Sequence, residues 1–120
     1  MYTVLPFTST WDGIVIVVEK LSKRFGSVQV LDDLDCTVPQ NQVVGFLGVN
    51  GAGKTTTMRI LSTALQPSGG TVTIGGYNVQ EQPEAVRSML GYLPEKPPLY
   101  PQLSIGQYLT FLAEFRQLSN

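Results

Sequence analysis

Residues 48–55 of this 120-residue chain are Gly48-Val49-Asn50-Gly51-Ala52-Gly53-Lys54-Thr55. They fit the pattern G-x-x-x-x-G-K-[ST], in which glycines let successive backbone N–H groups turn inward around anionic oxygens. In that pattern Lys54 reaches the β and γ phosphates, and the Thr55 hydroxyl is a ligand for Mg²⁺. A helix that follows directly adds the positive end of its dipole. The stretch therefore predicts a triphosphate-binding loop.

The sequence on either side of the loop supports this interpretation. Gln42–Leu47 is an apolar, strand-like run, and Lys54–Leu65 carries Met58, Leu61 and Leu65 at helical spacing. A glycine-rich turn without a ligand is the simpler alternative, but it gives Lys54 no reason to stand where its charge opposes the helix dipole. A dinucleotide-binding turn is excluded, because its third glycine would fall at Thr56.

Charge and composition narrow the partners that we expect. The net charge of −1 leaves no basic patch of the kind that nucleic acid requires, so we expect no nucleic-acid partner. Cys36 is the only cysteine and the chain has no histidine, which predicts a reducing, cytoplasmic setting without disulfides. The longest apolar run, Ile14–Val18, is far shorter than the ~20 residues that span a bilayer.

The segments around the loop predict an antiparallel β unit. Residues 14–25 suggest a strand that ends at a turn, and 28–30 and 34–38 suggest two strand edges around an acidic turn at Asp32-Asp33. After the helix, 71–74 and 77–79 flank Gly75-Gly76 as a β-hairpin.

The rest of the chain predicts one more strand and two helices. Pro83–Met89 suggests a short helix, and Leu90–Leu93 resembles a buried strand. Pro94–Pro101 is rich in proline and predicts an irregular loop, while Ser104 and Gln107 form a capping box that opens a helix through residue 117. Residues 1–13 lack periodicity and are expected to be a disordered extension.

Four segments, in order and spacing, resemble the ATP-binding cassette ATPases that power ABC transporters. They are Leu21–Gly26, GVNGAGKTTTMRIL, PSGGTVTIGGYNV and GYLPEKPPLY, and the resemblance runs from about Ile14 to Leu118. It implies an α/β P-loop NTPase fold with an N-terminal antiparallel β unit and the start of a parallel core. The form GYLPE followed by PLY is most similar to subunits of ABC-2-type exporters.

The resemblance implies a role for particular residues. Phe25 matches the aromatic residue that stacks on adenine, and Gly48–Thr55 matches the Walker A loop, with Thr56 as an added hydroxyl near the phosphates. Glu95 stands where the family usually has a glutamine that contacts Mg²⁺ and the attacking water, and Val49 stands where proline is frequent. Lys54 and Glu95 are thus the catalytic candidates, and Thr55 and Glu95 the Mg²⁺ ligands.

The resemblance also implies elements that this sequence does not contain. Family members carry a later strand that ends in Asp-Glu, a signature of the Leu-Ser-Gly-Gly-Gln kind and a switch histidine. We therefore expect residues 14–120 to be the N-terminal part of an incomplete ATP-binding domain that hydrolyses little or no ATP by itself. The complete parent is expected to bind MgATP, to pair head-to-tail with a second ATP-binding protomer, and to drive transmembrane permease subunits at the cytoplasmic face of the membrane.

Three alternatives remain open from the sequence. The first is that the chain as it stands is a non-catalytic nucleotide-binding or interaction fragment. The second is that it does not fold stably alone, because an edge strand of its core is exposed. A P-loop kinase or GTPase is the third, although no N/T-K-x-D base-reading motif is present.

Overall fold

The computed structural model describes residues 3–6 and 14–116 and divides the chain into two units, 1–90 and 91–120. In chain order the first unit contains β1 (Thr3–Pro6), β2 (Ile14–Phe25), β3 (Val28–Pro39), β4 (Val44–Leu47), α1 (Lys54–Leu61), β5 (Gly69–Ile74), β6 (Tyr77–Asn78) and α2 (Pro83–Met89). The second unit contains α3 (Ile105–Phe115).

The predicted antiparallel β unit is confirmed as a four-stranded sheet in the order β3-β2-β5-β6. Strand β2 lies inside it and pairs antiparallel with both β3 and β5. Gly75 and Gly76 have φ values of 57° and 86°, the left-handed conformation that a tight two-residue hairpin turn requires. The predicted hairpin between β5 and β6 is thereby confirmed.

Strand β3 runs without a break through Asp32 and Asp33, so the predicted acidic turn is wrong. The chain accommodates these residues as an irregularity in the β2–β3 ladder, where Lys20 and Asp33 have φ values of 48° and 45°. Polar side chains stabilise this irregularity. Asp35 Oδ1 accepts a 2.8 Å hydrogen bond from the Lys20 backbone N–H, and the Asp33 N–H donates to Ser22 Oγ at 3.1 Å.

The core of the first unit lies between the four-stranded sheet and helices α1 and α2. Ile60 of α1 and Val86 of α2 are fully buried. They join sheet and loop residues in one cluster of Val18, Leu21, Leu31, Leu34, Val72, Ile74 and Val79. Helix α1 ends at Leu61 rather than at the predicted Leu65, because Thr63 takes a φ of 64° that a helix cannot continue through.

Strand β4 forms as predicted, but its described partner is β1. The two strands pair antiparallel, with Thr3 opposite Leu47 and Pro6 opposite Val44. The expectation that residues 1–13 are disordered is therefore wrong for Thr3–Pro6, and the other residues of that segment lie outside the described part of the chain. Backbone hydrogen bonding, which the local sequence pattern did not reveal, holds these four residues.

The predicted buried strand at Leu90–Leu93 is wrong. These residues form no strand, and Leu93 is 82% exposed. A strand needs a neighbour to satisfy its backbone N–H and C=O groups, and no described strand pairs with this segment. The apolar residues alone were an insufficient signal.

Helix α3 of the second unit begins with the predicted capping box. The Ser104 side chain accepts from the Gln107 N–H, and the Gln107 side chain accepts from the Ser104 N–H. The ring of Tyr100 contacts that of Phe111 edge-on, at 6.0 Å between centroids, and the Tyr108 hydroxyl donates to the Pro98 carbonyl. The helix ends at Phe115, and Gln117 lies outside the described residues.

Candidate nucleotide-binding site

The glycine loop lies between β4, which ends at Leu47, and α1, which begins at Lys54. Strand, loop and helix thus follow one another as predicted. Gly51 and Gly53 have φ values of 83° and 94°, a conformation that residues with a Cβ rarely adopt. The Ala52 N–H donates to the Val49 carbonyl at 3.1 Å and closes a turn over residues 49–52 that contains Gly51.

The N-terminus of α1 is free of side chains that would compete with an anion. Gly53 occupies the N-cap position, no side chain caps the helix, and its first turn contains no acidic residue. The first backbone N–H groups of a helix have no partner within the helix, and they carry the positive end of its dipole. This end of α1 is chemically suited to hold phosphate oxygens.

Lys54 turns its ammonium group back over the loop. Its Nζ donates hydrogen bonds to the carbonyl oxygens of Gly48 and Val49, the second at 2.8 Å. The positive charge is therefore held at the loop rather than directed into solvent. An ammonium group has three donors, so it can exchange one of these acceptors for a phosphate oxygen and keep the other.

Thr57 is a positioning residue that the sequence analysis missed. It is 1% exposed, and its Oγ1 donates to the Gly53 carbonyl at 2.9 Å, as does its backbone N–H at 2.8 Å. Both bonds tie the end of the loop to the buried face of α1. The available signal was its spacing, since Thr57 and Ile60 lie three residues apart on one helix face.

Thr55 and Thr56 lie in the first turn of α1, with Thr55 exposed and Thr56 half-buried. Among residues 3–6 and 14–116, no group of three or more acidic, cysteine or histidine side chains could hold a metal ion. A Mg²⁺ ion at this loop would take its protein ligand from the Thr55 hydroxyl and its remaining ligands from phosphate and water, as Mg²⁺ commonly does. The residues present fit that coordination.

Phe25 stands at the end of β2, next to the turn at Gly26. Its side chain is 46% exposed, and the Lys23 ammonium lies 5.1 Å from its ring centroid. Lys23 in turn donates to the Gln66 carbonyl at 2.7 Å. The ring is thus accessible and has a cation near one face, but the assignment of Phe25 to adenine stays a prediction.

Glu95 belongs to the second unit, where its side chain is exposed in the irregular segment before α3. Its assignment to Mg²⁺ or the attacking water also stays a prediction. The candidate residues that the structure brings together are those of the loop itself, with Lys54 in direct contact with Gly48 and Val49.

Cys36 lies on β3 and is half-buried. Burial raises the pKa of its thiol above the ordinary value, and the neighbouring Asp35 carboxylate raises it further. The thiol is therefore protonated at neutral pH and is not an activated nucleophile. It lines an apolar cavity of about 270 Å³ together with Ile16, Val18, Val38, Gln42, Val44, Phe46, Met58 and Leu61.

Residues 31–119 match the family model described as ABC transporter. The chain belongs to the ABC transporter family. A rat relative, ATP-binding cassette sub-family A member 2, is 36% identical over 108 residues, which is 88% of this chain. The daunorubicin resistance ATP-binding protein DrrA2 of Streptomyces coeruleorubidus is 45% identical over 80 residues, or 67% of the chain.

This chain has the same fold as a solved structure of an ATP-binding subunit of an ABC transporter. The TM-score is 0.72, at 30% identity over 88% of this chain. The predicted ABC ATPase fold, with its antiparallel β unit, and its resemblance to ATP-binding subunits are thus confirmed, while the start of a parallel core stays a prediction, since the ladders of the described strands are antiparallel. The chain spans 4% and 25% of the two curated relatives and 44% of the solved subunit. In its described residues, no helix is both long and apolar enough to cross a membrane.

Proposed function

We propose that this chain supplies the phosphate-binding part of an ABC transporter ATP-binding domain and binds MgATP at residues 48–56. The observation that supports this most directly is the Lys54 ammonium held against the carbonyls of Gly48 and Val49, at the uncapped end of α1. A cation, a helix N-terminus and left-handed glycines converge on one loop. Each of them favours a polyanionic ligand.

Different groups of the loop bind different parts of the triphosphate and its Mg²⁺. Backbone N–H groups of the loop and of the first turn of α1 bind phosphate oxygens, and Lys54 moves from a loop carbonyl to the β and γ phosphates. Thr55 supplies a hydroxyl ligand to Mg²⁺, and Thr56 a second hydroxyl nearby. Thr57 holds the loop end in place through Gly53. The bound ion neutralises phosphate charge, as in other phosphoryl-transfer sites.

In the complete parent protein we propose ATP hydrolysis that powers transport. Phe25 stacks on the adenine, and Glu95 contacts Mg²⁺ or orients the attacking water. The parent pairs with a second ATP-binding protomer and acts on transmembrane permease subunits from the cytoplasmic side. The names of the relatives, which are ATP-binding proteins of this family, support this assignment.

The MgATP affinities of two lysine variants of the 120-residue chain test the proposal. Lys54→Ala removes the cation from the loop, while Lys96→Ala removes an exposed lysine of the second unit as a matched control. Because a hydrogen bond to a charged group contributes about 1.5–3 kcal/mol, we expect Lys54→Ala to weaken MgATP binding about 10- to 100-fold in calorimetric titrations. Equal affinities in the two variants would remove Lys54 from the site.

A second candidate function is a non-catalytic nucleotide-binding or interaction module. The irregular Leu90–Leu93 segment favours it, because these residues do not form the predicted strand and Leu93 is 82% exposed. Phosphoryl transfer needs charge stabilisation from several loops at once, so this module would bind MgATP with negligible turnover. Phosphate release by the purified chain, above that of the Lys54→Ala variant, would eliminate this candidate.

A further inference from the structure

Strand β1 lies outside residues 31–119, which match the family model, yet it pairs with the strand that leads into the loop. Its four residues oppose all four residues of β4, and Thr3 is opposite Leu47, immediately before Gly48. Within the described residues, β1 and β4 form a sheet of their own, separate from the four-stranded sheet. Strand β4 therefore has its described ladder with β1 alone.

The backbone N–H and C=O groups of a short strand such as β4 need hydrogen-bond partners, which a ladder with a neighbouring strand provides. Val44 and Phe46 are half-buried and line the apolar cavity, but Leu47, the end of β4 that leads into the loop, is exposed and its side chain contributes little to fixing that end. The pairing with β1 places Leu47 opposite Thr3, directly before the loop begins. Gly48, the next residue, provides a carbonyl that Lys54 binds.

We propose that β1 is a positioning element for the phosphate loop, whose pairing with β4 raises the affinity of the loop for MgATP. This inference rests on the proposed function and adds the N-terminal segment to the site. Affinity falls in proportion to the fraction of molecules with a competent loop, so a tenfold loss of that fraction weakens binding about tenfold.

The chemistry of Pro6 identifies a matched pair of test variants. In an antiparallel ladder, opposed residues alternate between pairs that exchange two hydrogen bonds and pairs that exchange none. Pro6 has no N–H and fits a pair of the second kind, which makes the neighbouring pair, Leu5 and Gly45, a bonded one. Leu5→Pro then removes a bond to β4, whereas Val4→Pro removes an N–H that points away from it.

The test measures MgATP affinity and amide hydrogen exchange in the 120-residue chain and these two variants. We expect Leu5→Pro to lose exchange protection at Gly45 and Leu47 and to bind MgATP about tenfold more weakly, with Val4→Pro close to the unmodified chain. Unchanged affinity in a variant whose β4 amides have lost protection would overturn the inference alone. A failure of the unmodified chain to bind MgATP would instead overturn the proposed function.

Protection in β2, β3 and β5 shows whether a variant remains folded. If Leu5→Pro also lost protection in that sheet, the double variant Val4→Gly/Leu5→Gly would replace it, because glycine weakens a strand and leaves its N–H groups in place. The same two readouts apply. Loss of β4 protection together with weaker binding supports the positioning role, and loss of protection without weaker binding contradicts it.

Discussion

Gly70 lies in the first unit at a position where a side chain would meet the backbone of β2. Its φ is 78°, and a Cβ there would lie 2.2 Å from the Lys20 carbonyl oxygen and 2.5 Å from that of Glu19. Both obstacles are backbone atoms and cannot rotate away. We expect Gly70→Ala to lower the free energy of unfolding by about 2–4 kcal/mol, which combines the left-handed strain and the overpacking. Urea unfolding followed by circular dichroism measures this loss.

Gly76 provides the control for Gly70. It has a φ of 86°, yet a Cβ built on it meets nothing within 4 Å. Gly76→Ala therefore carries only the conformational strain, about 1–2 kcal/mol. If the two substitutions lowered the free energy of unfolding equally, the close approach of Gly70 to β2 would not be the cause of the loss in Gly70→Ala.

The raised pKa of Cys36 predicts how the free energy of unfolding depends on pH. Its pKa is raised in the folded state by burial and by Asp35, so the folded chain holds the thiol proton at pH values where the unfolded chain, with a pKa of about 8.5, has lost it. The free energy of unfolding should then fall as pH rises above about 8.5, and Cys36→Ala should reduce that slope. Alkylation by iodoacetamide at pH 8 should be slower in the folded chain than in urea. Equal rates would contradict the raised pKa.

At the scale of single elements, the capping box fixes where α3 begins. Ser104→Ala removes the oxygen that accepts from the Gln107 N–H, and such caps contribute about 1 kcal/mol. We expect faster amide exchange in the first turn of α3. Ser88→Ala is the control, since that hydroxyl donates to the Ala85 carbonyl and caps no helix. Unchanged exchange after Ser104→Ala would show that the helix start is held by other contacts.

Sequence patterns predicted the elements whose causes are local. The hairpin at Gly75-Gly76 and the start of α3 at Ser104 follow from turn and capping chemistry within a few residues. The predictions of secondary structure were wrong where pairing with a backbone segment far away in the sequence determines whether a strand forms. The ladder with β2 carries β3 through Asp33, and Leu90–Leu93 finds no described partner strand. Neither effect can be inferred from hydrophobic periodicity.

For the whole molecule, the candidate site was more predictable than the strand pairing. The loop, its lysine and the following helix occupy consecutive residues, so one motif placed them together. Thr57 was missed because its role is to hold Gly53 rather than to meet a ligand. The β1–β4 pair joins residues some 40 positions apart, which no local pattern encodes. Phe25 and Glu95 stay predictions, as they lie on other elements and were assigned by resemblance.

The most direct test of MgATP binding at residues 48–56 is a titration of the ¹⁵N-labelled chain followed by amide chemical shifts. We predict that the largest changes occur at the backbone N–H groups of the loop and of the first turn of α1, and that Lys54→Ala weakens them. The Ala52 N–H, which donates to Val49, reports whether the loop opens. Saturating MgATP that leaves the amides of residues 48–56 unmoved would contradict the account.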